Sequence, residues 1–563
     1  MKKKILFHSN SAKAFTGFGK NAKNILLYLQ KTGKYEIIEF ANGIQWGDPS
    51  LKLRPWKAQG SLPNNPEILR RLQSDPQKGR DAGYGGATID QAIQEYKPDI
   101  YVGVEDIWAF EGYWNKPWWN KINHMIWTTL DSQPILPQAV EAIKKTKNFY
   151  TWASFAERDL KKMGHENAAT LHGSVSTEDF YRFNRVDKEH LRNKFNLSDS
   201  FVVGFVFRNQ LRKSVPNLLE GFKIFKRDCP KAKLLLHTHW SEGWDIPRLI
   251  KEKDIDPKDI LTTYFCSACG EYEVRPFTGQ EQKCRFCGTE KSLNTTNVKA
   301  GVNEKQLNEI YNLMDVYCHP FTSGGMEIPI FEAKLTELVT LVTNYSCGED
   351  SSTLESGSLP LDWSEYREPG TQFIKASTYP SSIAKQLKKV WKMDANKIYQ
   401  IGVKARQWTI DNYSIPVIGK KLEKIFDSMP CANYDFDLEQ KDTEKNDLIN
   451  FLDDGDRLAI VMPRSAGDVL WINSLIDNVK SLYPTHDIYV FSEPQFFDYI
   501  EDHPDVHKVL QYCQEIDDLH FLEGRGTHAG FFDLAFLPHC GTQKFHNYHH
   551  NGKDKTQLKL YEN

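Results

Sequence analysis

No stretch of 18 apolar residues occurs in the 563 positions of this chain, so nothing in it reads as a membrane-crossing helix. No secretory leader is expected either: Met1-Lys2-Lys3-Lys4 runs straight into the apolar strand Ile5 to His8, with no apolar region of signal length. Charge of one sign is also lacking. With 71 basic against 74 acidic side chains the formal charge is −3, which excludes a global field that would draw the chain to nucleic acid, though not a local basic groove. Disorder is excluded by the 40% of apolar residues and the 14 Trp, 24 Tyr and 32 Phe. Six of the ten cysteines (Cys229, Cys318, Cys347, Cys431, Cys513 and Cys540) are scattered without a disulfide framework, as suits a reducing compartment. Together these absences predict a cytoplasmic protein, long enough for three or four domains that each bury a core.

The other four cysteines form a pattern. Cys266-x2-Cys269 and Cys284-x2-Cys287 are separated by 14 residues, and Gly270 and Gly288 follow the second cysteine of each pair. That spacing favours a zinc ribbon over disulfide bridges, with a redox pair as the alternative. Four thiolates leave no open position, so the metal would be structural, and the insert is bounded at 262–294. Its hairpins are open to contact with an acceptor, a nucleic acid or another subunit.

Around the ribbon the chain alternates strand and helix signals. Over residues 1–180, strands are expected at Lys4 to His8, Tyr35 to Phe40, Asp99 to Val104, His124 to Thr129, Asn148 to Trp152 and Thr170 to His172. Phe15-Thr16-Gly17-Phe18-Gly19-Lys20 reads as a glycine turn before a helix from Ala22 to Gln30. This rhythm predicts an α/β fold with a doubly wound, mostly parallel sheet, whose ligands bind beyond the carboxyl ends of strands. Gly17, Gly19 and Asp131 would lie at such ends, Asp131 where a side chain can meet an acceptor. Between Trp46 and Gly86 the pattern lapses into a Trp/Pro/Gly-rich segment that reads as a functional loop. Trp108, Trp114, Trp118, Trp119 and Trp127 suit core packing or sugar stacking.

A second βα series starts at Phe201–Phe207 and passes through Arg208-Asn209-Gln210-Leu211-Arg212-Lys213-Ser214 into a helix. Cations at a strand-to-helix turn are what a nucleotide diphosphate needs as it departs. Later, the stretch from Val316 to Asn344 gives a strand, a turn at Ser323-Gly324-Gly325 and a helix start. Glycines let backbone N–H groups approach a ligand, the helix start favours an anion, and Glu327 and Glu332 stand by to take sugar or ribose hydroxyls. The plainer alternative is a corner whose glycines only make the turn. Asp435 to Asp456, polar and charged, reads as a linker to a third αβ unit with strands at Arg457 to Met462, Asp487 to Phe491, Lys508 to Gln511 and Asp533 to Phe536.

Pro329 followed by Phe331-Glu332-Ala333 resembles the donor-site signature of the retaining glycosyltransferases of family 4, two-domain enzymes of the GT-B architecture. Arg208 and Lys213 fall on that family's diphosphate-gripping arginine and lysine, about 120 residues before Glu332, which matches the ribose-binding glutamate. The family's other glutamate, eight positions earlier, is Gly324 here, which leaves the sugar contact open to Glu327. The resemblance covers about residues 1–428 and implies an acceptor domain at 1–180, a nucleotide-sugar donor domain at 181–410 and a helix crossing back at 411–428. A linker at 429–455 then leads to residues 456–563, where Gly467-Asp468 and the following helix are similar to the first half of a family 9, heptosyltransferase-type enzyme.

The resemblance implies transfer of a sugar from a UDP- or GDP-linked donor to an acceptor hydroxyl, with retention. Arg208, Lys213 and Asp131 would take part in the chemistry, and Gly17, Gly19, Gly324, Gly325, Glu327 and Glu332 would help to hold the donor. The acceptor is expected to be a glycan, a lipid-linked glycan or a hydroxymethylated DNA base. Peripheral or homo-oligomeric contacts through the ribbon or the last domain are also expected. A binding scaffold that has kept a degenerate transferase fold is the alternative, supported by Gly324.

Overall fold

In this computed structural model, residues 2–64, 76–297, 300–436, 455–463, 465–512, 516 and 532–538 are described. Residues 437–454 of the expected linker lie outside them, as do Cys513, Cys540 and the histidines at 546, 549 and 550. The chain divides into two compact units, Met1–Leu438 and Glu439–Asn563.

The first unit holds two sheets. Strands β1 (Lys3–Asn10), β2 (Tyr35–Gln45), β3 (Lys57–Leu62), β4 (Ile100–Val104), β5 (Asn123–Thr128), β6 (Asn148–Thr151) and β7 (Ala168–Thr170) form a seven-stranded sheet ordered β3-β2-β1-β4-β5-β6-β7. All its pairings are parallel. Its central strands are apolar on both faces because helices cover both: β1 and β4 are buried almost throughout. Trp118, Trp119 and Trp127 are fully buried, so this cluster is core, and the indole N–H of each is satisfied, by Asp90, the Lys145 carbonyl and the Leu171 carbonyl.

The second sheet carries β8 (Phe201–Val206), β9 (Ala232–His237), β10 (Ile260–Cys266), β11 (Tyr272–Pro276), β12 (Leu293–Thr295), β13 (Val316–His319), β14 (Thr340–Thr343) and β15 (Ser358–Leu361). Its order is β11-β10-β9-β8-β13-β14-β15, with β12 paired to β10. The pairings from β10 to β15 through β9, β8, β13 and β14 are parallel, whereas β11 and β12 run antiparallel to β10. The cysteine insert therefore continues the sheet as an antiparallel edge. A two-stranded ribbon of β16 (Trp363–Arg367) and β17 (Ile374–Thr378) follows.

The helix Ile415–Ser428 returns to the first sheet. Ile418, Leu422 and Phe426 are fully buried in the same core as Ile5, Ile25 and Leu29, and Lys3 donates to the carbonyls of Phe426 (2.8 Å) and Asp427 (3.1 Å).

Two elements depart from the sequence reading. Gly17-Phe18-Gly19 is the first turn of a helix, Gly17–Thr32, and not a turn before one: Thr16 caps it by accepting from the Gly19 N–H at 3.0 Å. Gly19 is there for close approach, since a Cβ would run into the Ala14 carbonyl oxygen. The Trp/Pro/Gly-rich segment also contains β3 and a helix at Pro76–Gly83, and β3 extends the sheet beside β2.

The second unit contains a four-stranded parallel sheet of β18 (Arg457–Val461), β19 (Asp487–Ser492), β20 (Val506–Gln511) and β21 (Leu534–Phe536), ordered β20-β19-β18-β21. Among the described residues no helix is long and apolar enough to cross a membrane.

Candidate functional site

The carboxyl ends of both sheets in the first unit open into one cleft of 610 Å³. From the first sheet come Gly17 on its helix, Glu105 and Asp106 beyond β4, and Thr129 and Asp131 beyond β5. From the second come Arg208, Arg212 and Lys213 beyond β8, His237 to His239 and Glu242 at the end of β9, and Gly325 to Pro329 with Glu332 beyond β13. The two halves meet closely: Lys375 donates to both Ser132 (2.7 Å) and Ser323 (2.8 Å), and a Cβ on Gly325 would collide with Thr129.

On the second side the charges form a buried network. Arg212 and Lys213 both pair with Glu327, whose carboxylate also takes the Nε2–H of His319 at 3.1 Å while His319 Nδ1 accepts from Tyr317 (2.8 Å). Burial alone would raise the Glu327 carboxyl, but Arg212, Lys213 and His319 hold it well below the usual carboxylate range. Lys213 is pulled down to about 8 by burial and by Arg212, against the pull of Glu327. His319 is lowered to about 4, chiefly by burial, and is neutral. Two cations to one carboxylate leave this network locally with an excess of positive charge, which suits an anion.

Position 324 shows how this carboxylate is housed. A Cβ on Gly324 would lie 2.7 Å from Glu327 Oε1, so the absence of a side chain there makes room for Glu327. Glu332, one turn further along the helix Ile328–Leu335, is buried; its two oxygens take Lys20 Nζ (2.7 Å) and the Tyr311 hydroxyl (2.8 Å). Arg208 is half exposed and paired with Glu242 at 3.3 Å.

The opposite wall is acidic. Glu105 is raised to about 8 by burial and by neighbouring Asp106, and Asp106 to about 6 by burial and by Asp131. Thr129 donates its hydroxyl to Asp106. With Glu105 raised to about 8 and so protonated at neutral pH, this wall offers a carboxyl hydrogen-bond donor as well as the acceptor oxygens of its other side chains to a polyhydroxylated ligand.

Of the residues singled out in the sequence, Gly17, Asp131, Arg208, Lys213, Gly325, Glu327 and Glu332 all border this cleft. Gly19 and Gly324 do not offer free backbone donors: their N–H groups are engaged by Thr16 and by Ser346 (3.1 Å). His172 is structural, bonded to the Trp152 carbonyl and stacked on Tyr413. Sequence reasoning passed over Arg212 and Lys20. Arg212 sits in the same cationic run as Lys213, but Lys20 carries no signal, because its partner is 312 positions away.

The four cysteines converge. Their sulfurs lie within 4.8 Å of one another, with Cys266···Cys287 at 3.7 Å and Cys269···Cys284 at 3.8 Å. A tetrahedral zinc with Zn–S bonds of about 2.3 Å requires S···S edges of about 3.8 Å, so the donor set fits zinc, whereas a disulfide needs about 2.05 Å. Gly270 and Gly288 take positive φ (76° and 73°), which is why glycine follows each pair.

No protein-family model matches the chain, and no curated protein does. Solved structures do. Anabaena Alr3699/HepE in complex with UDP superposes with a TM-score of 0.52 over 76% of this chain and 100% of that one, at 13% identity. A glycosyltransferase from Rickettsia africae gives 0.51 over 76% and 98%, at 14% identity. The sucrose-phosphate synthase of Thermosynechococcus elongatus gives 0.52 over 76% and 98%, at 12%. The fold is therefore GT-B, that of glycosyltransferases.

Proposed function

We propose that the first unit is a glycosyltransferase that moves a sugar from a nucleotide diphosphate to an acceptor hydroxyl, with retention at the anomeric carbon. The observation that carries this reading is the convergence of Arg208, Arg212 and Lys213 with Glu332 in one cleft at the carboxyl ends of two parallel sheets. Glu332 accepts the ribose hydroxyls. The three cations neutralise the diphosphate as the bond from the anomeric carbon to its oxygen breaks and that carbon bonds to the acceptor oxygen. The proton of the acceptor hydroxyl leaves with the departing phosphate, while Asp131 and Asp106 orient that hydroxyl. Glu327 acts through Arg212 and Lys213 and is a positioning residue.

UDP in a neighbour of like fold makes a UDP-linked donor the first to test, with GDP-linked donors next. The polyhydroxyl-friendly acidic wall favours a glycan acceptor over a DNA base, since the phosphate backbone that brings such a base would call for cations there. Zinc, held by Cys266, Cys269, Cys284 and Cys287, would be structural, tying the end of β10 at Cys266 to the loops of the insert, with no part in the transfer.

Turnover with a panel of UDP- and GDP-sugars, read as release of the nucleoside diphosphate, tests the proposal. Alanine at Arg212 or Lys213 should cost on the order of 10²-fold. A protein that neither binds nor turns over any nucleotide sugar would be the alternative, a scaffold on a transferase fold.

A further inference from the structure

We propose that Lys20 is a cation that changes partner, paired with Glu332 as the structure shows and passed to the diphosphate when a nucleotide binds, so that the protein selects nucleoside diphosphates over nucleosides. This inference rests on the nucleotide-sugar reading of the cleft.

The cations of the cleft differ in how they are held. Lys213 is buried on Glu327 with His319 behind it, and Arg212, although 35% exposed, shares that carboxylate and also donates to the Ser323 carbonyl at 3.2 Å, so both are held from their own wall. Lys20 is different. Its backbone is fixed in the capped start of the helix Gly17–Thr32, on the opposite wall, and its side chain is 32% exposed and spans the cleft to Glu332. Its ammonium bonds Glu332 Oε1 at 2.7 Å, and Glu332 is the partner it has among the described residues. The other carboxylate oxygen is taken by Tyr311 from within the core. The charge of Lys20 also reaches His237, which lines the cleft at the end of β9 and which burial, with Lys20, brings down to about 3.

The pair has an electrostatic purpose. A carboxylate as buried as Glu332 is costly without a counter-ion, and Lys20 supplies one from across the gap. A ribose that hydrogen-bonds Glu332 must compete for the same oxygen. The displaced ammonium, a compact charge on a flexible four-carbon stem, is then left facing whatever the ligand carries next to its ribose. If that is a diphosphate, the ammonium regains a charged partner. If it is nothing, as in a nucleoside, displacement is uncompensated and binding is weak. Lys20 thus links ribose recognition on the second half to charge recognition from the first, and discriminates by penalising the ligand that lacks phosphates.

The test compares UDP by calorimetry and uridine by ligand-observed NMR on wild type, Lys20→Met and Lys20→Arg. Lys20→Met should weaken UDP about tenfold or more while leaving uridine equal or tighter, because the ribose no longer competes for Glu332. Lys20→Arg should restore part of the UDP affinity. In a Glu332→Gln background, which has no carboxylate left to be stranded, Lys20→Met should still cost UDP its tenfold. UDP affinity unchanged by Lys20→Met would overturn the proposal, as would UDP and uridine weakening together, which is what a merely structural pair would give. Wild-type protein that binds neither UDP nor GDP would overturn the nucleotide reading itself, and this inference with it.

Discussion

Glu327 shows how much a single carboxylate carries. It is the shared counter-ion of Arg212 and Lys213, so Glu327→Gln would strand the buried Lys213 as well as leave the partly exposed Arg212 without its carboxylate, and breaking a buried pair from one side typically costs about 3–5 kcal/mol. We expect the first unit to melt at clearly lower temperature in that variant, by calorimetry, with nucleotide affinity changed as a secondary effect; an unchanged melting point would show that the network is not structural. The sequence brings Glu327 forward as a reader of the sugar, because it stands near the empty position 324, and in the structure its carboxylate does occupy the space beside Gly324, already claimed by two cations. Those cations lie 114 and 115 positions away, so their pairing is a tertiary fact that no local motif encodes. Lys213 also makes a pH prediction. Its ordinary value is lowered to about 8, so it is charged below that pH and neutral above it. Diphosphate affinity should therefore fall as pH rises through about 8, and binding near that pH should take up a proton, seen as a buffer-dependent heat. Lys213→Arg, which stays charged, should remove the dependence.

At the scale of elements, the clustering of the four cysteines and the turn beyond β13 were legible in the sequence because each is local: knuckle spacing and a strand-glycine-helix pattern fix geometry within about 30 residues. The start of the first helix was less so, since Gly17 and Gly19 look like turn residues until the Thr16 cap and the Ala14 contact are seen. The ribbon is joined to the cleft. Thr295 on β12 takes hydrogen bonds from the Trp240 N–H (3.2 Å) and Gln280 (2.6 Å) and faces His239 Nδ1 at 3.1 Å, so one hydroxyl ties the hairpin to the loop beyond β9. That loop also carries Glu242, the partner of Arg208. We expect about one zinc per chain by elemental analysis. Mild chelation that leaves the ribbon folded should spare activity, whereas stripping the metal should unfold the insert and weaken nucleotide binding together. Metal-free protein with an ordered insert and full affinity would exclude the role.

At the scale of the molecule, the first unit contains the whole cleft, and all of its lining residues precede Leu438. A fragment of residues 1–438 should therefore keep wild-type nucleotide affinity, by calorimetry; a large loss would assign the second unit a part in donor binding. Gly325→Ala should have the opposite character, folding normally but losing turnover, because a methyl group at that place pushes against Thr129 on the facing half. The parallel order of both sheets was legible from the alternation of strands and helices, but the return of the last helix was legible only through family resemblance, since its amphipathic pattern does not say which face receives it.

That return has a consequence during synthesis. The core of the first half includes Ile418, Leu422 and Phe426, and the N-terminal Lys3 is tied to carbonyls near residue 427. A half that is complete in sequence by about residue 180 thus waits roughly 12–50 s, at 5–20 residues per second, for the segment that seals it. Until then the hydrophobic surface around Ile25, Leu26 and Leu29 stands open, which makes the nascent first half, rather than the finished protein, the form that most needs a chaperone.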